Sequence, residues 1–348
     1  MLGASLTGKE VGVLGAPRAA FAVAWLVAGL VSGCGTVGGP TGQPVEPPPG
    51  PASAPPDGPA PTGSVLALDA PATAVVVDPH TATVAIALAD PPRLLLGTLD
   101  GAAPARQMPL PGPATELGLV AEGGPLLVPV ATPPALVQVP LDGGASSRTD
   151  LEDSPRSAVA VGERLVVALG DRLVVLDEDG MQRTVPGFVD ATRLVPIGSK
   201  VVVLDQGNTA VSLVDPASGE VGPALRAGNG AVSAVADRFG RTLVTDVRDG
   251  ELLVFAGDPL LLRQRWPVPG APYGLAYDGT RDLAWLTLTA RNEVVGFNVH
   301  GGEPVVVHRF PTVHQPDAVA VDPVSGRVVV VSASGAGMQV IDPERVVH

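Results

Sequence analysis

The sequence contains very little cysteine, few aromatic residues and little charge. One cysteine in 348 residues cannot form a disulfide within the chain. Aromatic residues make up only 3% of the sequence, too few for the stacking surfaces of a typical carbohydrate-binding protein. Lys and Arg (22) are outnumbered by Asp and Glu (35), and the net charge of −13 excludes the basic surface that nucleic-acid binding needs.

Catalytic and metal-binding motifs are missing as well. Asp177–Gly180 resembles the start of a calcium loop but lacks the later ligands, so we predict a turn there. Gly143–Ser147 lacks the Gly-x-Ser-x-Gly order of a nucleophile elbow. We expect Trp266 and Trp285 to be packing residues. The sequence has five histidines without zinc-like spacing, and we predict that they are ordinary surface residues: His80, His300, His308, His314 and His348. His314 precedes an innermost strand and can reach a central opening. The sequence therefore predicts no metal and no dissociable cofactor.

Glycine and proline are abundant instead, with 43 and 38 residues. They interrupt a chain whose other apolar residues are mainly Val, Leu and Ala. Frequent turn residues between short apolar runs favour many short β-strands over long helices.

The N-terminus has the features of an export signal. Residues 1–18 carry Lys9 and Arg18, and residues 19–33 follow with fifteen positions free of charge. A membrane-spanning helix needs about 20 apolar residues, so this run fits the apolar region of a secretory signal better. Residues 1–33 are therefore predicted to be a signal peptide.

The apolar run ends in Val-Ser-Gly-Cys, residues 31–34, which resembles the bacterial lipobox. The resemblance implies that the thiol of Cys34 carries diacylglycerol, that cleavage makes Cys34 the mature N-terminus, and that further acylation (palmitate, for example) follows. It also implies a lipid anchor on the extracytoplasmic face of the cell membrane, with no other cofactor. A plain signal peptide with an unrelated cysteine, or an uncleaved anchor, are the alternatives.

Residues 34–63 have the composition of a linker. Gly35–Gly63 contains ten prolines and seven glycines in 29 residues, with almost no bulky apolar side chain to offset the entropy of ordering. We predict a disordered tether that reaches up to about 90 Å in a polyproline conformation.

Residues 64–348 contain seven loosely similar copies of one pattern, in which turns with Asp or Gly separate short apolar strands. The copies begin 35 to 45 residues apart, at Pro71, Pro113, Pro155, Asp190, Ala231, Ala271 and Pro316. This spacing is typical of the four-stranded blade of a β-propeller. We therefore predict an all-β, seven-bladed β-propeller with four-stranded antiparallel blades over residues 64–348, and we expect a monomer.

The two ends of this domain complement each other. The seventh copy stops at His348 after its third strand, and Ser64–Asp69 forms an apolar segment with no partner of its own. We predict that this N-terminal strand completes the last blade and closes the ring, which removes the free sheet edges.

Val201–Val221 resembles the YVTN repeat of YncE-like propellers. Thr209 to Ser212 and Leu213 to Asp215 match the family pattern, whereas Leu204-Asp205 stands where the family has Thr-Asn. The resemblance implies a lipid-anchored propeller of the kind found in actinobacterial envelopes. Because such propellers have many functions, it implies an architecture and not an activity.

Ligands of propellers usually bind over the central opening, where the innermost strands begin. Seven residues are predicted to lie there: Thr73, Glu116, Arg156, Arg193, Ser233, Tyr273 and Asp317. Two carboxylates and two arginines argue against a divalent metal. The arginines either bind an anion or pair with the acidic residues Glu116 and Asp317.

These features predict a non-enzymatic envelope protein that binds a protein or a small ligand, with the membrane as its partner through the lipid anchor and no nucleic acid. A propeller enzyme, either a lactonase-like hydrolase or a quinoprotein-like oxidoreductase, is one alternative. An envelope sensor or assembly factor is another.

Overall fold

The computed structural model describes residues 49–99, 106–177, 180 and 182–346. The predicted signal peptide, Cys34 and the first part of the tether lie outside the described residues. A single 3₁₀ turn (Thr289–Arg291) is the only helical element in the described ranges. None of the helical structure in those ranges is long and apolar enough to cross a membrane.

The chain folds into a β-propeller in which five blades are separate four-stranded antiparallel sheets. After β1 (Ser64–Leu66), blade I contains β2 (Ala72–Asp78), β3 (Thr83–Leu88), β4 (Arg93–Thr98) and β5 (Arg106–Pro109). Blade II contains β6 (Gly118–Leu119), β7 (Leu126–Val130), β8 (Ala135–Val139) and β9 (Ser147–Asp150).

An eight-stranded sheet follows, here called the double sheet. Its strands are β10 (Ser157–Val161), β11 (Arg164–Ala168), β12 (Gly170–Leu176), β13 (Gln182–Ile197), β14 (Lys200–Asp205), β15 (Ala210–Asp215), β16 (Glu220–Val221) and β17 (Leu225–Arg226).

Three blades complete the fold. Blade III contains β18 (Ala231–Ala236), β19 (Arg241–Asp246), β20 (Glu251–Ala256) and β21 (Leu261–Pro267). Blade IV contains β22 (Pro272–Asp278), β23 (Leu283–Leu288), β24 (Glu293–Asn298) and β25 (Val305–Pro311). The closing blade contains β26 (Pro316–Val321), β27 (Val328–Ser332) and β28 (Met338–Ile341), together with β1.

The double sheet differs from the prediction of separate four-stranded blades. Strand β13 pairs with β12 through its first half and with β14 through its second half, so one strand belongs to two repeats. The register shifts between Ala191 and Arg193, and Gly187 has a φ of 115°. The chain therefore bends within this strand, whereas in the other repeats a loop separates the outer strand from the next innermost strand.

The predicted closure of the ring by the N-terminal strand is confirmed. Strand β1 pairs antiparallel with β28, with Ser64 opposite Val340 and Leu66 opposite Met338. The buried side chain of Gln339 strengthens this junction, because its amide donates to the carbonyls of Thr62 and Pro311. The first and last strands of the domain thus belong to one sheet.

The hydrophobic core is divided into clusters between neighbouring sheet surfaces. Clusters join blade I to blade II, blade II to the double sheet, the double sheet to blade III, and blade III to blade IV. Two more join the closing blade to blade IV and to blade I. A further cluster packs the two halves of the double sheet together, for example Val166 and Val175 with Val201 and Val203. Apolar contacts therefore run around the whole ring.

Recurring aspartates stabilise the turns, as the sequence suggested. The carboxylate of Asp215 accepts the N–H groups of Ala217 and Ser218 at 2.8 and 3.2 Å. Asp205 has a wider role, because it accepts the N–H groups of Val189 and Asp190 from a separate part of the chain, each at 2.9 Å. Such bonds satisfy backbone donors that a turn leaves without partners.

The described part of the predicted tether differs from a free, disordered chain. Ala52, Ala54, Pro55 and Thr62 all form hydrogen bonds with the propeller. These bonds use backbone groups of the segment, so the segment needs no bulky side chains of its own to bind. Disorder of residues 34–63 as a whole stays a prediction.

Candidate functional site: the central cavity

A cavity of about 620 Å³ lies where the innermost strands converge. It is lined by residues of β2, β18, β22 and β26, by Arg193 of β13, and by the segment that precedes β6. Cavities of this size are typical of small-molecule sites.

Six of the seven residues that the sequence placed at the central opening line this cavity: Thr73, Glu116, Arg193, Ser233, Tyr273 and Asp317. Four of them are the second or third residues of their strands, so their side chains surround the end of the cavity at which the innermost strands begin. We call these six residues the polar ring.

Arg156 is the seventh predicted residue, and it lies elsewhere. Its exposed side chain is close to Asp190, with 3.6 Å between Nε and Oδ1, and lines a separate surface depression. The innermost strand β10 begins one residue later, at Ser157, which is fully buried. Arg156 thus precedes its strand, whereas the strand residues of the polar ring are second or third in theirs, and this accounts for its different location.

Glu116 and Arg193 form an ion pair within the polar ring, as one of the two sequence interpretations proposed. Arg193 Nε lies 3.7 Å from Glu116 Oε1. The other oxygen, Oε2, is buried and has no hydrogen-bond partner among the described residues. Burial raises the pKa of the Glu116 carboxyl, and the positive charge of Arg193 and a hydrogen bond from Ser157 only partly oppose this effect. The buried Glu116 carboxyl is therefore only partly compensated by its neighbours.

Asp317 is the second acidic residue of the polar ring. Burial raises its pKa to about 6, against the opposing effects of a hydrogen bond from Gln315 and the nearby His314. Gln315 Nε2 donates to Asp317 Oδ1 at 2.7 Å. Burial also raises the pKa of the Tyr273 hydroxyl. Asp317 therefore changes charge around its pKa of about 6, whereas Tyr273 stays protonated at neutral pH and can donate a hydrogen bond.

Beyond the polar ring, the walls of the cavity are apolar. Val75 and Val235 line it and are partly exposed to its interior, as are Ala276 and Ala318. The small alanine side chains leave open space between the innermost strands. The cavity thus combines hydrogen-bonding groups at one end with an apolar channel, the usual division of roles in small-molecule sites.

The histidines and tryptophans only partly follow the sequence predictions. Trp285 is fully buried, so its predicted packing role is confirmed. His308 was predicted to be a surface residue, but its ring stacks on Trp285 with 5.5 Å between centroids. His314 lies near the polar ring and shares a hydrogen bond of 2.8 Å with the hydroxyl of Ser334.

One group of acidic residues among the described positions is compact enough to hold a metal ion, and it lies outside the cavity: Asp246, Asp249 and Glu251. The carboxylate of Asp246 accepts backbone N–H groups, including that of Asn229 at 2.8 Å. Arg265 Nη2 lies 2.5 Å from Glu251 Oε2 and 3.7 Å from Asp249 Oδ2. Backbone donors and one arginine therefore already bind part of this group.

Gln315 and Asn292, which border the polar ring, were not predicted from the sequence. Asn292 Oδ1 accepts the backbone N–H of Gln315 at 3.0 Å, and both residues have a left-handed backbone, with φ of 51° and 54°. The only sequence signal was the presence of two amide side chains in loops. Amides in loops are too common to indicate a site.

Comparison with solved structures identifies other β-propellers. The hydrazine synthase of Kuenenia stuttgartiensis is 15% identical with a TM-score of 0.67, and the alignment covers 81% of this chain and 98% of that one. Virginiamycin B lyase from Staphylococcus aureus is 13% identical with a TM-score of 0.66, covering 80% and 98%. The Swd1 β-propeller domain of Myceliophteria thermophila is 14% identical with a TM-score of 0.68, covering 80% and 99%. At such identities the likeness shows the fold alone.

No protein-family model matches the chain, and no curated protein matches it in sequence.

Proposed function

We propose that this protein is a lipid-anchored envelope protein whose propeller binds a small amphiphilic molecule in its central cavity. The observation that carries the proposal is the division of that cavity into a polar ring and an apolar channel. A ligand with an anionic or hydrogen-bonding head next to Arg193 and an apolar part along Val75 and Val235 would fit both regions. Binding, and not catalysis, is the role that this arrangement supports best.

The proposed propeller has seven blades, with the double sheet counted as two. Two features support this number. Strand β13 pairs as an outer strand with β12 and as an innermost strand with β14. The halves of the double sheet also pack face to face through their own core cluster, as separate blades do. The YVTN-like segment Val201–Val221 coincides with β14, β15 and β16 in the second half.

The proposed anchor is diacylglycerol on Cys34, attached at the extracytoplasmic face of the membrane after removal of residues 1–33. The lipobox-like residues 31–34 and the uncharged run before them support it. A lipoprotein of this kind carries two or more acyl chains, which hold a protein on a bilayer durably. The chain between Cys34 and Pro49 spans at most about 50 Å when fully extended.

The anchor is tested by Cys34→Ala in the native envelope. We expect loss of acyl labelling and release of the protein from the membrane fraction, because the thiol is the atom to which the lipid attaches. Ser53→Ala, in the same N-terminal region, serves as the matched control and keeps the label. Unchanged labelling of the Cys34→Ala protein contradicts the proposed anchor.

Ligand binding is tested separately with the fluorescent probe 1-anilinonaphthalene-8-sulfonate, which has a sulfonate head and an apolar body. We expect the probe to bind the native protein and Ala318→Phe to abolish binding, because the added ring fills the channel. Ala217→Phe adds the same ring at an exposed turn and leaves cavity binding unchanged.

Two arginine variants locate the probe. Arg193→Gln removes the cation of the polar ring, whereas Arg156→Gln removes a more exposed cation outside the cavity. We expect only Arg193→Gln to weaken binding, by roughly tenfold, because charge-assisted hydrogen bonds contribute about 1.5–3 kcal/mol. Equal binding by the Ala318→Phe and native proteins would refute the cavity as the site.

A further inference from the structure

The segment that precedes β1 lies on the propeller as an extended peptide. Its side chains alternate: Ala52 and Ala54 are partly buried against the propeller, whereas Pro51 and Ser53 are exposed. This alternation with a period of two is the pattern of a strand lying on a surface. Small side chains at positions 52 and 54 let the backbone approach the propeller closely.

Three propeller side chains bind the backbone of this peptide. Thr289 Oγ1 accepts the Ala52 N–H at 3.2 Å, and Asn292 Nδ2 donates to the Pro55 carbonyl at 2.9 Å. Gln315 makes two bonds, since its Oε1 accepts the Ala54 N–H and its Nε2 donates to the Ala52 carbonyl, both at 3.0 Å. The amide of Gln315 thus pairs with the peptide as a neighbouring strand would.

The binding side chains are also held by bonds within the propeller. The hydroxyl of Thr289 donates to the Ala271 carbonyl at 3.2 Å. Asn292 Oδ1 accepts the Gln315 N–H, so the two amides position each other. A left-handed backbone at a non-glycine residue is uncommon, and for Gln315 it is unfavourable. Unfavourable conformations of this kind persist where a site needs a side chain in one orientation.

We propose that Thr289, Asn292 and Gln315 form a peptide-binding groove between blade IV and the closing blade. The groove takes an extended, proline-rich segment with small side chains at alternate positions. Residues 52–55 occupy it within the same chain, and a proline-rich segment of a partner protein can replace them. Recognition depends on the backbone, because all four bonds to the peptide use main-chain atoms.

The groove is connected to the central cavity through a single side chain. Gln315 Nε2 donates both to Ala52 and to Asp317 of the polar ring. The side chain that binds the peptide therefore also contacts a residue of the cavity.

The test uses the full chain and a fluorescein-labelled peptide with the sequence of residues 51–58, Pro-Ala-Ser-Ala-Pro-Pro-Asp-Gly. Ala54→Pro in the protein keeps an extended backbone but removes the N–H that Gln315 accepts, so the internal segment is released. Hydrogen exchange of residues 52–62 first verifies the release, with Ser53→Ala as the matched control that stays protected. Unchanged protection in Ala54→Pro overturns the proposal.

Fluorescence anisotropy then measures binding of the peptide. We expect the Ala54→Pro protein to bind it about tenfold or more tightly than the native chain does, because a tethered competitor acts at millimolar effective concentration. A peptide with proline at the position of Ala54 should not bind. Gln315→Asn in the Ala54→Pro background should also abolish binding, since asparagine tolerates the left-handed backbone but has a shorter side chain.

Two outcomes contradict the groove: no binding of the peptide by the Ala54→Pro protein, or binding that is unaffected by Gln315→Asn. Size-exclusion chromatography covers one further result. A concentration-dependent dimer of the native chain would mean that the occupant is the same segment of a second copy, and this would overturn the assignment to a partner protein.

Discussion

Gln339 is the residue at which closure of the ring can be tested most directly. It is fully buried on β28 and its amide connects three parts of the chain. Oε1 accepts the Val313 N–H at 3.0 Å, and Nε2 donates to the carbonyls of Thr62 at 2.6 Å and Pro311 at 3.0 Å. We consider Gln339→Met, which keeps the length and approximate volume of the side chain and removes its hydrogen bonds.

The cost of this change follows from which partners are left without a bond. The Pro311 carbonyl still accepts the Thr62 N–H at 3.1 Å. The buried Val313 N–H loses its partner, which costs about 1–3 kcal/mol, and the carbonyl of the half-buried Thr62 loses a hydrogen bond whose net contribution is about 0.5–1.5 kcal/mol. We therefore expect the free energy of unfolding to fall by about 2–5 kcal/mol. For a domain of this size, that is a decrease in Tm of roughly 4–10 °C.

Calorimetry and hydrogen exchange together check this prediction. Calorimetry measures the decrease in Tm, and exchange shows whether β1 becomes less protected than the other strands. Gln138→Met is the matched control, because Gln138 is on the corresponding third strand of blade II but is partly exposed to water. If Gln339→Met loses no more stability than Gln138→Met, the side chain does not hold the ring closed.

Three other predictions follow from the same contacts. Affinity for the anilinonaphthalene sulfonate probe should rise on the order of tenfold when the pH is lowered from 7.5 to 5.5. Asp317 has a pKa of about 6, and its protonation removes a negative charge near the anionic probe. Asp317→Asn should abolish most of this pH dependence in a fluorescence titration. Gly228→Ala should lower the free energy of unfolding in urea by about 2–4 kcal/mol, because Gly228 has a φ of 69° and a Cβ would lie 1.7 Å from Asp246 Oδ2. Gly162 has a φ of 60° but open space around it, so the control Gly162→Ala should lower it by only about 1 kcal/mol. Deletion of Ser64–Asp69 should lower the melting temperature sharply, and an unchanged melting curve would contradict closure by this strand.

The repeat pattern predicted most of the fold because each copy has the same physical requirements. In five of the seven copies the innermost strand begins within two residues of the predicted start of the copy, for example at Ala72 and Pro316. The second copy is less regular, since its innermost strand is reduced to Gly118–Leu119 and one isolated bridge. The fourth copy has no separate start, because β13 continues through it. Periodicity identifies strands but not whether the chain breaks between two of them.

Only those residues of the candidate site that lie at the start of an innermost strand could be predicted from the sequence. Thr73, Ser233, Tyr273 and Asp317 could be located because each follows the beginning of an innermost strand by one or two positions. Arg156 does not fit this rule, because it precedes β10 by one residue and does not belong to the innermost strand.

The peptide groove was not predictable from composition, and the reason is general. The argument for a disordered tether counts the apolar surface that a segment can bury by itself. Residues 52–55 bury little, but Gln315 and Asn292 supply hydrogen bonds to their backbone that a count of side chains does not include. Proline helps, since a segment that is already restricted to extended conformations loses less entropy on binding. A proline-rich sequence next to a folded domain is therefore as compatible with a bound peptide as with a free tether, and loop amides in left-handed conformations are the structural feature that distinguishes them here.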